Sequence, residues 1–144
     1  MFGSIFVFLI AGVTIWLTQK YKEIAWAIAI AFIFRISTAL INLYVVTLPD
    51  AGIDATGFEH LAWLWGKDGL TEATSHFFEY GLPYFYTNLG SLVYAIVGRS
   101  PLILSSICVL AGVYCVVLVW KLSIEVWGTQ SAAKKSAWLV AIYP

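Results

Sequence analysis

The chain has 144 residues, of which 61% are hydrophobic, 17% aromatic and only 11% charged. Soluble domains carry roughly 45–50% apolar and about 25% charged residues, so a single small soluble core cannot absorb this excess and the composition points to a membrane protein. Eight basic residues balance eight acidic ones, for a formal net charge of zero; this excludes a nucleic-acid binder, which needs a basic surface to neutralise phosphates.

The first apolar run, residues 2–19, is long enough to span a bilayer. It lacks a basic leader and a small-residue cleavage pattern, and its first charge, Lys20, follows the run, so it is expected to be a retained anchor and not a signal peptide. A second span is expected over residues 24–48. Arg35 lies well inside it, where a cation costs about 2.5–3.5 kcal/mol on insertion scales. Thr38 and Asn42 follow at i+3 and i+7, a polar stripe that must face other helices or a wet cavity. Two roles fit Arg35: a buried hydrogen-bonding seam, or a contact to an anionic group.

Residues 49–100 hold Asp50, Asp54, Glu59, Asp68, Glu72 and Glu79, six of the eight acids, together with both His. Phe58, Leu61, Ala62 and Trp65 recur at i, i+3, i+4 and i+7, which predicts an amphipathic helix lying on the bilayer with Trp63 and Trp65 at headgroup depth. Thr56-Gly57-Phe58-Glu59 fits a capping box. Asp54, which would otherwise serve as a helix N-cap, is then spare, and with Asp50 four residues earlier it can coordinate a divalent cation or accept a proton from a hydroxyl nucleophile. His60 and His76 show no metal-ligand spacing. Lys67, Asp68, Glu72 and Glu79 are expected on a solvated face. No nucleophile elbow, phosphate-binding loop or dinucleotide fingerprint is present.

Residues 83–98 span only about 24 Å as a helix, short of a hydrocarbon core of about 30 Å. If this segment dips into the outer interface without crossing, Lys20, Lys22, Lys121, Lys134 and Lys135 all fall on the inner side, as the positive-inside rule requires. Ser100-Pro101 then starts a third span over residues 101–120, since Ser caps helices well and Pro suits their first position. Arg99 lies just outside, placed for a headgroup or a lipid-linked phosphate. Cys108 and Cys115 share a helix face but are separated by about 10 Å of rise, beyond disulfide reach, and are expected to be small packing residues. An inner loop over residues 121–135 leads to a further apolar helix starting at residue 136. The expected fold is all-α and integral to the membrane, with transmembrane helices and an extracytoplasmic loop of amphipathic juxtamembrane helices, in one module without repeats.

The order of these features resembles the N-terminal part of the GT-C glycosyltransferases, integral membrane enzymes that include protein O-mannosyltransferases and lipid A aminoarabinose transferases. Asp54, Phe58 and Ala62 resemble the family's Asp-x-x-x-aromatic-x-x-x-Ala at the first outer loop. Pro83 and Tyr86 resemble its Pro-x-x-Tyr stretch, and Gly98 with Ser100 its closing Gly-x-Ser. Trp127-Gly128, Ala132, Ala133 and Pro144 resemble its short inner loop and next helix.

The resemblance implies inverting transfer of a sugar from polyprenyl phosphate to a glycan, lipid or protein acceptor at the outer face of a bacterial-type inner membrane. It makes Asp54 the catalytic or metal-linked carboxylate, with Mg or Mn as the implied cation and Asp50, off the family's usual position for a second acid, as an assistant; Tyr86 joins Arg35 and Arg99, singled out above by their positions, as a substrate-binding candidate. The anchor at residues 2–19 precedes what would be the family's first helix. The chain is therefore expected to be the leading portion, or a truncated relative, of such an enzyme, with further helices supplied from elsewhere. The alternative is a non-enzymatic membrane scaffold whose polar stripe binds a partner chain.

Overall fold

A computed structural model describes residues 2–47, 53–80 and 82–143; the side chains of Ile53 and Asp54 lie outside the described set, as do Asp50 and Pro144 altogether. The described residues form helices α1 (Phe2–Lys20), α2 (Ala25–Tyr44), α3 (Ile53–Gly66), α4 (Leu70–Tyr80), α5 (Phe85–Val97), α6 (Pro101–Trp127) and α7 (Gln130–Ile142), with no strand among them. Short 3-10 turns at Lys22–Ile24 and Leu82–Tyr84 lead into α2 and α5.

Three stretches are long and apolar enough to cross a membrane: Phe2–Lys20, Lys22–Tyr44 and Pro101–Trp127. Their outward faces carry large exposed apolar side chains, among them Phe8, Trp26 and Leu122, a surface that water does not tolerate but lipid does. The 13 residues of α5 reach only about 20 Å.

Pro101 occupies the first turn of α6, with Ser100 in extended conformation ahead of it; proline's missing N–H costs nothing there. The Ser100 hydroxyl makes no capping bond. The helix then runs past the end of the apolar segment, because nothing between Lys121 and Trp127 breaks it. It closes at Gly128, which adopts φ +62° and turns its N–H onto Ile124 O, a left-handed geometry that glycine takes without Cβ strain. The inner loop expected over residues 121–135 thus shrinks to Gly128 and Thr129.

The central helix α6 packs against α1, α2 and α7, and α2 also touches α1 and α7. Their shared core joins Leu17, Ala27, Ile28, Ala31, Val113, Val116 and Val117 to Ala137 and Ala141. Ala133, Ala137 and Ala141 are fully buried at intervals of four, so small side chains let α7 approach its neighbours closely, as at membrane helix interfaces. At the turn end of this bundle Lys20 and Lys121 both lie over the Tyr21 ring, and Lys134 pairs with Glu23 at 3.8 Å.

Helices α3, α4 and α5 form a second layer near the opposite end, held to α6 through a cluster of Ala62, Tyr94 and Leu104. The expectation for α3 changes here. Trp63 meets Tyr94 edge-on, with ring centroids 6.3 Å apart. Trp65 stacks on His76 at 4.8 Å and on Tyr80 at 5.0 Å, two rings that also neighbour each other, so both tryptophans are engaged with protein rings. A strongly exposed apolar rim lies on α4, the turn after it and the start of α5, at Phe78, Leu82 and Phe85.

Candidate functional site: a cleft between two long apolar helices

The polar stripe of α2 faces a cleft of about 520 Å³ between α2 and α6. Arg35, Thr38 and Asn42 line it from α2; Ser105, Cys108, Gly112 and Cys115 from α6; Tyr86 from α5; and Ala55 from the first turn of α3. The spacing of 35, 38 and 42 therefore did predict a cavity-facing surface. Both cysteines are exposed on the cleft and not packed inside the bundle, because their common face of α6 is the one turned toward α2.

Among the described residues Arg35 meets no acid. Its Nη2 donates to Val140 O and to Tyr143 O, each at 2.8 Å, and its Nη1 donates to Ala141 O at 3.2 Å. The guanidinium thus satisfies carbonyls at the C-terminal end of α7, where a helix carries roughly half a negative charge. Gly112 makes the route possible: a Cβ there would come within 2.7 Å of Arg35 Cδ. Thr38 donates to Phe34 O at 2.9 Å, within its own helix, a bond that removes its donor but leaves acceptor capacity toward the cleft.

Glu59 and Arg99 form a second charged feature. Arg99 Nη2 donates to Glu59 Oε2 at 2.9 Å and its Nε to Oε1 at 3.1 Å, while Tyr94 Oη donates to the same Oε1 at 2.8 Å. This clamp ties α3 to α5 and to the segment leading into α6. Burial pushes the Glu59 carboxyl up, but the bonds from Arg99 and Tyr94, with the Arg99 charge, outweigh it and hold the carboxyl below its usual range. Burial, and then Glu59, push the Tyr94 phenol up. The Tyr86 hydroxyl is also raised, by burial and by the neighbouring Cys108 thiol.

The capping-box assignment is corrected by these contacts. Helix α3 starts at Ile53, so Thr56 lies inside its first turn and not at the cap, and Glu59 points to Arg99 and Tyr94. Asp54 stands in the first turn of α3. Arg99, expected at a headgroup or phosphate, has its fork taken up by Glu59. His76 is flanked by Glu72 at 3.5 Å and Glu79 at 3.7 Å; Lys67 and Asp68 are exposed.

The catalytic candidates Asp50 and the Asp54 carboxylate lie outside the described residues. Among those described, no three His, Cys, Asp or Glu side chains gather closely enough to hold a metal ion. Sequence reasoning missed Gly112, Ser105 and the Tyr94–Glu59 bond; the first two share the α6 face marked by Cys108 and Cys115, and could have been found from it. Comparison with protein-family models, curated proteins and solved structures yields no match.

Proposed function

We propose that the chain is the N-terminal part of a glycosyltransferase that uses a polyprenyl-phosphate-linked sugar at the outer face of the membrane. The observation that carries this reading is the cleft: it lies between two helices long and apolar enough to span, sets Arg35, Thr38, Asn42 and Tyr86 in a largely apolar wall, and reaches Ala55, the residue after Asp54. A lipid-linked donor needs such a place, because its chain belongs in the bilayer while its sugar must meet a carboxylate at the boundary. In this reading Asp54 accepts the proton of the acceptor hydroxyl as its oxygen bonds to the sugar's anomeric carbon and the bond to polyprenyl phosphate breaks. Asp54 and Asp50 would hold Mg or Mn, which would supply charge stabilisation to the departing phosphate. Asp50 assists, and Tyr86 positions the donor.

The test is transfer of a radiolabelled sugar from polyprenyl phosphate by the complete enzyme. Asp54→Asn is expected to abolish transfer while insertion and expression stay normal. Transfer undiminished in Asp54→Asn refutes the assignment.

A specific observation favours the second reading, a non-enzymatic scaffold: Arg35 and Arg99 are both occupied by groups of the protein itself. On that reading the cleft seats a helix of a partner chain. Co-purification of one stoichiometric membrane partner, lost when Gly112 and Cys108 are both replaced by Leu, would select it.

A further inference from the structure

On the other side of α6 from the polar cleft, α1 and α6 enclose a groove of about 360 Å³ that presents only apolar surface, formed by Val13, Trp16 and Leu17 against Ile107, Leu110 and Tyr114. Its end toward the turn between α1 and α2 is cationic. Lys20 Nζ sits 4.8 Å from the centroid of the groove-lining Trp16 ring. Lys20 and Lys121 flank one further ring, Tyr21, at 5.7 and 5.5 Å. Glu23, the acid nearest in sequence to Lys20, is committed to Lys134, and among the described residues no carboxylate lies within ion-pair distance of Lys20 or Lys121.

We propose that this groove is a binding site for one anionic phospholipid, its acyl chain along Trp16, Leu110 and Tyr114 and its phosphate between Lys20 and Lys121. The pairing of a dry slot with two cations that have no ion-pair partner among the described residues matches an amphiphile with one apolar and one negative end. Glu125, one turn beyond Lys121 on α6, makes no ion pair with it. A second copy of the chain does not match, because a two-fold contact on this face would bring the same lysines of both copies together. Ordinary zwitterionic lipid fills the slot but leaves the lysines without net charge compensation.

The test is native mass spectrometry of the purified chain with dioleoyl phosphatidylglycerol and dioleoyl phosphatidylcholine as competing probes. Phosphatidylglycerol should be retained in roughly 30-fold preference, the scale of two lysines acting near an anionic headgroup. The double variant Lys20→Gln, Lys121→Gln should bring the two lipids to near parity without changing phosphatidylcholine retention; both lysines are exposed, so the fold does not depend on them. Ala111→Trp, at an exposed position lining the groove, should lower retention of both lipids. Equal retention by the wild type, a preference that survives the double lysine variant, or unchanged retention in Ala111→Trp overturns the site.

Discussion

Removing the Glu59 charge by Glu59→Gln isolates the clamp that fastens the outer helices to the bundle. The substitution keeps shape and leaves an amide oxygen for the Tyr94 hydroxyl, but turns an amide N–H₂ toward the Arg99 guanidinium. The Arg99 Nη2 bond to Oε2 is lost and the Nε bond to Oε1 keeps only a neutral acceptor; a charge-assisted bond is worth about 1.5–3 kcal/mol where water is excluded. Arg99, however, is 43% exposed against 14% for Glu59, so the freed guanidinium rehydrates and the net loss falls to about 1–2 kcal/mol. The sign of its pH dependence follows from the depressed Glu59 carboxyl: its stabilisation is fully present above the unfolded carboxyl value near 4.5 and disappears as pH falls through the lower folded value. Denaturant titration in detergent, followed by tryptophan fluorescence because Trp63 abuts Tyr94, should show wild type and Glu59→Gln separated at pH 7 and converging in acid. A gap that stays constant down to the acid limit would refute the argument, since it would mean that shape and not charge sets the loss.

Gly112→Ala should displace Arg35 from the α7 carbonyls and cost about 1–3 kcal/mol, the range for overpacking; adding Arg35→Met should then cost much less than it does in the wild type, which a double-mutant cycle measures. Ala137→Leu should separate α7 from α6 by a similar energetic amount, visible as faster proteolysis at Gly128–Thr129. With Cys108 and Cys115 replaced by Ser, a single cysteine at Gln130 should resist an impermeant maleimide in intact cells and react after permeabilisation; labelling in intact cells would invert the proposed sidedness.

The three long apolar helices were readable because bilayer thickness imposes long apolar runs. Boundaries were less readable where composition and helix continuity diverge. The run that defines α6 ends at Trp120, yet its backbone continues to Trp127 since only Gly128 offers a left-handed exit. Likewise α7 starts at Gln130, well before the apolar run, because Ala132 through Lys135 are strong helix formers and Ala133 is already buried. In the site, the 35/38/42 spacing revealed which face is polar but not what Arg35 binds, because its partners are backbone carbonyls from residues 140–143, which leave no trace in side-chain pattern. Glu59 was misassigned for a related reason: a capping box is a local motif, while the contacts that claim Glu59 come from 35 and 40 residues away.

The occupancy of Arg35 constrains any account of the cleft. A lone guanidinium within a span is costly, and three carbonyl acceptors at the end of α7 compensate it without introducing an acid that would repel an anionic ligand. An anion that takes the Nη donors of Arg35 competes with those carbonyls, which then lose their donor in a setting poor in water. Binding at this point and docking of α7 are therefore opposed: whatever draws Arg35 into the cleft must loosen α7 from α2. A phosphate ligand that stabilised the α2–α7 contact would contradict this coupling, whereas one that increased hydrogen exchange in residues 139–143 would support it.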